Sequence, residues 1–235
     1  MKPKISLLHL KNIPILHQLQ LEEALLRADQ GNWCVINEGS SPAIVMGISG
    51  NLDLLVNKAK MQQQPIPVIR RFSGGGTVVV SEHTYFVTFI CNRKDLPVAS
   101  YPEHVLRWTE QFYKPIFPSN FKLQENDYVF DNRKFGGNAQ YFCKDRWLHH
   151  SSLLWDFEEA HMDYLLMPPK MPSYRQKRTH SDFLCKLRES HPDKQQLSEK
   201  IRGELNKLFN VNRVEKDQVK HISILPHRKA TALIM

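Results

Sequence analysis

Three consecutive glycines, Gly74-Gly75-Gly76, stand between two short apolar runs, Pro65 to Ile69 and Val78-Val79-Val80. Glycine loses more backbone freedom on ordering than any other residue, so three in a row imply positive φ or close backbone approach. Arg70-Arg71-Phe72-Ser73 precede the triplet and Thr77 follows it. Loop N–H groups freed from Cβ crowding can converge on an anionic oxygen. Two guanidiniums just upstream add forked donors for phosphate or carboxylate. The alternative is a flexible hairpin turn between paired strands. A Walker-type phosphate loop is excluded, because no Gly-Lys-Ser/Thr follows the glycines.

The surrounding pattern predicts an α+β chain. Apolar spacing indicates a helix over residues 15–28, stopped by Gly31. Residues 33–39 and 42–48 read as strands paired through Gly39-Ser40-Ser41-Pro42, followed by a short helix over 52–60. Further strands are expected on either side of the glycine loop and at 84–91, with a helix over 103–117. Strands at 127–132, 133–142 and 149–157 follow so closely that antiparallel pairing is expected. Pro168, Pro169 and Pro172 mark a crossing segment, and basic helices are expected near 181–189 and 194–209.

At 235 residues with 41% hydrophobic content, the chain suits one domain with a real core. Cys34, Cys91, Cys143 and Cys185 form no C-x-x-C pair, which suggests a reducing compartment. His9, Lys11 and Asn12 break the apolar start, a poor signal peptide, and no run approaches the ~20 residues of a membrane span. The expected location is cytoplasmic. The net charge of +8 is concentrated between Lys170 and Arg213, which hold eleven Lys or Arg against five Asp or Glu. Nucleic acid, an acidic protein surface or nucleotide phosphates would suit it, and so would a solvated helical face.

Two more segments carry chemistry. Asn126-Asp127-Tyr128 leads to Arg133-Lys134-Phe135-Gly136-Gly137-Asn138-Ala139-Gln140. A lysine held at a pocket can pair with a substrate carboxylate and later polarise an acyl carbonyl; a solvated turn lysine is the alternative. The third segment is His149-His150-Ser151-Ser152-Leu153-Leu154. Adjacent strand histidines point to opposite faces, so they make no metal pair, and no metal ligand is assigned with certainty.

Together, RRFSGGGT, NDYVF, KFGGNAQ and HHSSLL resemble the lipoate–protein ligase A family of the biotin/lipoate ligase superfamily, in the family's order and over most of the chain. The resemblance implies a mixed, mostly antiparallel curved sheet around an acyl tunnel with helices outside. It implies a catalytic domain over 1–210 and a short tail over 211–235, too small for the accessory domain that two-step ligases carry. Lys134 matches the lysine that contacts the acyl carbonyl, and Arg70 with Ser73, Gly74, Gly75 and Gly76 matches the loop enclosing the acyl group and adenylate phosphate. Gly137, Asn138, Ala139 and His150 fall beside them, and Asp127 falls near the nucleotide and metal. Departures are Val80-Ser81, where the family often has His-Asp, and Ile48 in place of an arginine after Gly47.

The leading expectation is activation of lipoate or octanoate with ATP and Mg2+, then transfer to a lysine of a lipoyl carrier domain. That carrier would belong to a 2-oxoacid dehydrogenase complex or be the glycine cleavage H protein, with a separate accessory protein replacing the missing domain. The second is an ATP-independent octanoyl- or lipoyltransferase, for which Cys143 and Cys185 are the candidate nucleophiles. The third is a basic module binding single-stranded nucleic acid without catalysis.

Overall fold

A computed structural model describes residues 1–96 and 101–235. β1 (Lys4–Lys11), α1 (Ile15–Arg27) and β2 (Trp33–Glu38) open the chain. β3 (Ala43–Met46), α2 (Leu52–Leu55), α3 (Lys58–Gln63), β4 (Val68–Arg70), β5 (Val78–Val80) and β6 (Thr84–Asn92) follow. After α4 (Pro102–Tyr113) come β7 (Phe121–Gln124), β8 (Asp127–Phe130), β9 (Arg133–Phe142) and β10 (Arg146–Leu154). α5 (Glu159–Met162), α6 (His180–Phe183), α7 (Lys194–Leu208), β11 (Asn210–Val214), α8 (Lys216–Ile224) and β12 (Ala232–Leu233) complete it.

The strands form an eight-stranded sheet, β11-β1-β2-β6-β10-β9-β8-β7, and a four-stranded sheet, β12-β4-β3-β5. In the large sheet β1 is parallel to β11 and β2, and every pairing from β2 to β7 is antiparallel. The architecture is therefore α+β with a mixed, mostly antiparallel sheet. One face of that sheet packs Leu7, Ile36, Phe89 and Trp147 against Phe112 of α4 and Ile201 of α7. Its other face packs Leu8, Val35, Ile90 and Leu148 against Leu25 of α1 and Ile222 of α8. The small sheet closes on α1 through Val45, Ile69 and Val80, which meet Ile15, Leu19 and Phe86. Each such buried side chain contributes about 1.5–3 kcal/mol, so these rows fix where the two sheets meet.

Several expectations change. β2 and β3 do not pair; β2 lies between β1 and β6, and β3 between β4 and β5. Gly39, at φ +97°, turns the chain from one sheet into the other, and Ser40 Oγ accepts from the Ile15 amide at 2.9 Å at the start of α1. β4 and β5 also do not pair, but flank β3, so the glycine loop is a crossover and not a hairpin turn. The helix expected over 52–60 splits at Val56, which is extended and bridges to Leu165. The helix expected to reach residue 117 stops at Tyr113, because Pro115 cannot continue it. The stretch 181–189 is the four-residue α6 and a 3-10 turn at Leu187–Glu189. Residues 211–235, read as a tail, extend both sheets: β11 pairs with β1, α8 packs on the sheet, and β12 pairs with β4. Among the described residues no helix is long and apolar enough to cross a membrane.

Candidate active site

The register of β9 against β8 slips by one residue, and that slip aims Lys134. Asp127 and Tyr128 face Gly137 and Gly136, whereas Val129 and Phe130 face Lys134 and Arg133, leaving Phe135 as the extra residue. On a regular strand residues 134 and 137 would point to opposite faces; the bulge puts them on the same one. Phe135 stacks on Phe130 at 4.2 Å on the α4 side. Lys134 emerges on the α1 side, where its Nζ lies 2.8 Å from Asp127 Oδ1. A Cβ on Gly137 would sit 3.2 Å from that Nζ. The two glycines thus have separate causes. A Cβ on Gly136 would strike Leu153 Cδ2 at 2.9 Å and Tyr128 Cδ2 at 3.0 Å in the core, whereas Gly137 leaves room for the ammonium.

The glycine loop reaches the next two residues of β9. Gly75 has φ +106°, and a Cβ there would approach the Asn138 carbonyl oxygen at 3.6 Å and Ala139 Cβ at 3.9 Å. Gly47 is needed in turn because its Cβ position lies 2.2 Å from the Gly75 oxygen. Gly74 and Gly76 face open space, with no heavy atom within 4 Å of a Cβ. Ser73 is buried, and its carbonyl accepts from the Ile48 amide at 3.0 Å.

Arg71, not Arg70, shapes this loop. Arg71 is 5% exposed, and its guanidinium donates to the carbonyls of Gly74 at 2.8 Å and 3.2 Å, Gly76 at 2.8 Å and Val45 at 3.4 Å. Burial pushes its pKa down to about 10, and it remains a cation at neutral pH, facing carbonyls and no carboxylate. Arg70 pairs in register with Met46, whose side chain belongs to the cluster on the outer face of the small sheet. Its Nη2 makes one long contact, 3.5 Å to the Gly50 carbonyl, and its Nε is buried without a partner.

The remaining candidates divide between the two sheet faces. His150 stands opposite Ala139, as Ser152 stands opposite Gly137, so both lie on the Lys134 face. The His150 ring is buried, with Nδ1 2.9 Å from Glu22 Oε2 and 2.9 Å from Thr88 Oγ1. Asn138 turns its side chain the other way, accepting from Ser151 Oγ at 2.7 Å and donating to the Asn126 carbonyl at 2.9 Å. Only its backbone meets the loop. His149, also on that far side, hydrogen-bonds with Tyr128, and burial pushes it down to about 3. Cys185 is buried, its thiol donating to the Arg133 carbonyl and pushed up to about 11 by desolvation. Cys143 is half-buried beside the Leu148 cluster.

The segment after the prolines expected to mark a crossing forms a strap over this end of the sheet. The Tyr174 hydroxyl donates to Asp127 Oδ2 at 2.8 Å, so each oxygen of that carboxylate has one partner. Among the described residues one group has metal-ligand proximity, Glu82, His83 and Glu158, and it consists largely of exposed acids. A phosphate-bearing ligand does fit the loop: Arg71 is an uncompensated buried cation, the faces of Gly74 and Gly76 are open, and Thr77 Oγ1 is buried without a partner. The tunnel implied by the resemblance would run between the two sheets, where Ile15, Leu19, Val45, Ile69, Val80 and Phe86 are packed together. Cavities of about 300 Å3 and 230 Å3 open elsewhere, beside α1 and α8 and at the β8–β9 turn.

Comparison with known proteins shows the family and the fold. Inactive lipoate–protein ligase 2 of Plasmodium falciparum is 27% identical over 199 residues, 69% of this chain and 51% of that protein. Lipoate-protein ligase LplJ of Bacillus subtilis is 27% identical over 126 residues, covering 52% of this chain and 37% of its own. The chain thus spans about half or less of the length of these curated relatives. In fold, P. falciparum LipL1, solved in complex with lipoate, superposes with a TM-score of 0.74 at 21% identity, covering 94% of this chain and 69% of its own. The bipartite lipoate protein ligase of Thermoplasma acidophilum superposes with the same score of 0.74 at 15% identity over 95% and 91%. The family model of the lipoyl protein ligase A/B catalytic domain matches residues 14–217, and the chain belongs to that family.

Proposed function

We propose that this catalytic domain activates lipoate or octanoate with ATP and passes the acyl group to a lysine of a lipoyl carrier domain. The observation that carries the reading is the meeting of Lys134 and Gly75 on three consecutive residues of β9, Gly137 to Ala139. A carboxylate oxygen of the fatty acid would attack the α-phosphorus of ATP, releasing pyrophosphate and leaving an acyl-adenylate. The carrier amine would then attack the acyl carbon, and AMP would leave with the bond electrons. Negative charge grows on acyl or phosphoryl oxygen in both steps, and a fixed ammonium favours both. One donor aimed at such an oxygen accounts for roughly 10²–10³ in rate. Arg71 would hold the loop and its positive potential in place, with Gly74 and Gly76 exposing amides to phosphate. The acyl chain would part the packed side chains between the sheets.

A transferase using a preformed acyl donor without ATP is the second reading, favoured by Val80-Ser81 at the position where the family often has His-Asp. A route through Cys185 is disfavoured, because its buried thiol, pushed up to about 11, is almost wholly protonated at neutral pH, which leaves the half-buried Cys143 as the candidate of a cysteine version. The basic stretch from Lys170 to Arg213 suits an acidic lipoyl domain as acceptor, from a 2-oxoacid dehydrogenase complex or the glycine cleavage system. A companion polypeptide is part of the reading, after the bipartite ligase of T. acidophilum. The test is intact-mass measurement of a lipoyl domain after incubation with lipoate and ATP, and separately with an octanoyl-carrier donor. Modification only with ATP supports the ligase, modification only with the octanoyl-carrier donor supports the transferase, and a carrier left unmodified by both, and also by a preformed acyl-adenylate that needs no companion for activation, overturns the proposal.

A further inference from the structure

The strap over residues 172–185 is fastened to the sheet at both ends, and it reaches Lys134 at its end through the backbone and near its start through the Tyr174 side chain. At its start, Glu125 Oε1 in the β7–β8 turn accepts from the Ser173 amide at 2.8 Å and the Tyr174 amide at 3.3 Å. At its end, the Cys185 amide donates to the Lys134 carbonyl at 2.9 Å, and the Arg133 guanidinium donates to the Leu184 carbonyl at 2.8 Å and 3.1 Å. Midway, Arg178 donates to the Asn132 carbonyl at 2.9 Å. The circuit is closed by side chains. Tyr174 donates to Asp127 Oδ2 at 2.8 Å, and Asp127 Oδ1 pairs with Lys134 Nζ at 2.8 Å.

We infer that Tyr174 is a positioning residue: by fixing one oxygen of Asp127 it sets the carboxylate's rotation, and thereby seats the Lys134 ammonium over Gly137. This deepens the reading of Lys134 as the group that works on the acyl function and rests on that reading. A carboxylate held on one oxygen only can swing about its terminal bond, a broad and soft torsion. Hydrogen bonds to both oxygens remove that freedom. The phenol is a dependable donor, since burial and the adjacent Asp127 charge raise its pKa above the ordinary tyrosine value. Its ring has a separate task, packing on Phe183 at a centroid distance of 5.2 Å, while the Arg175 guanidinium stacks on the other ring at 4.8 Å. Removing the hydroxyl alone therefore leaves the strap's packing in place. The same linkage ties strap and lysine together, so a ligand that displaces the strap also frees Asp127 and with it the ammonium.

The test compares Tyr174→Phe, Asp127→Asn and the double variant in the full chain by two readouts. The first is the labelling rate of Lys134 by trinitrobenzenesulfonate at fixed pH, resolved by peptide mass spectrometry against the other lysines; it needs no activity. The second is single-turnover transfer from a preformed acyl-adenylate, together with the affinity of a non-hydrolysable acyl-adenylate analogue. Tyr174→Phe is expected to label Lys134 several-fold faster with other lysines unchanged, and to transfer about ten-fold more slowly with analogue affinity within two-fold. In the Asp127→Asn background the Phe substitution should add nothing further, because its effect passes through that carboxylate. Lys134 labelling at the wild-type rate in Tyr174→Phe overturns the inference, and so does an effect that adds to that of Asp127→Asn. Absence of acyl transfer in the wild type would refute the function while the labelling result still decides the positioning.

Discussion

A single methyl at position 137 tests where the ammonium works. A Cβ there would lie 3.2 Å from Lys134 Nζ and 3.4 Å from its Cε. Comfortable contacts are about 3.5–4.0 Å, so the ammonium must withdraw by a few tenths of an ångström, pivoting on Asp127. The backbone offers no resistance, since Gly137 is not among the positive-φ glycines. An alanine compatible with the native backbone stabilises by about 0.4–1 kcal/mol through the unfolded state. Misplacing a catalytic group by ~1 Å costs about 10²-fold, so Gly137→Ala should slow transfer roughly 3–10-fold, and Gly137→Val, with its γ-carbons, about 10²-fold. Neither should lower the urea midpoint. Gly136→Ala makes the opposite contrast. Its Cβ would strike Leu153 and Tyr128 at 2.9–3.1 Å in the core, costing about 1–3 kcal/mol of stability with little change in rate. The assay pairs single-turnover transfer with urea unfolding. A Gly137→Val protein that transfers at the wild-type rate would refute the placement of Lys134.

Gly75→Ala should strain the loop by about 1–3 kcal/mol, because φ is +106° and its Cβ would lie 2.7 Å from Arg71 Nη2; calorimetry with an acyl-adenylate analogue should show affinity reduced roughly ten-fold. Cys185→Ser should retain activity within two-fold in the carrier-mass assay, because that thiol, at about 11, supplies almost no thiolate; complete loss would revive the cysteine route. His149, held down to about 3 against an ordinary 6.5, excludes a proton that the unfolded chain binds. Stability should therefore fall as pH drops below 6.5, by about 2 kcal/mol at pH 5, and a His149→Gln protein should lose most of that dependence in urea titrations. Rising salt should slow carrier modification while leaving adenylate formation nearly unchanged; a parallel fall of both rates would remove the electrostatic role of the Lys170–Arg213 stretch.

The parts of this fold written in local chemistry were readable from the sequence. The α1 periodicity, the close-spaced strands β8, β9 and β10, and the crowding of glycine at 74–76 each specify local structure by themselves. Longer-range features left weaker marks. His9 and Lys11 obscured β1, whose Leu7 and Leu8 pack on opposite faces of the sheet. The joining of β11 and β12 to strands more than 150 residues away has no local signature. Lys134 stood out as a candidate, but the bulge that turns it toward Asp127 depends on Phe135 stacking against Phe130, a tertiary contact. The resemblance implied Arg70 for the site, and the hold of Arg71 on the loop carbonyls had no separate mark in the Arg-Arg pair. Tyr174 reaches Asp127 across 47 residues, a long-range partner that the prolines and basic charge of its segment do not announce.

The most direct measurement is a crystal structure of the chain with a non-hydrolysable acyl-adenylate analogue. The expected complex has the Lys134 ammonium within hydrogen-bond distance of the acyl or phosphoryl oxygen, with the Gly74–Gly76 backbone lining the phosphate and the acyl chain between the two sheets. An analogue bound elsewhere, with Lys134 still paired to Asp127 and the glycine loop untouched, would contradict the assignment of this site.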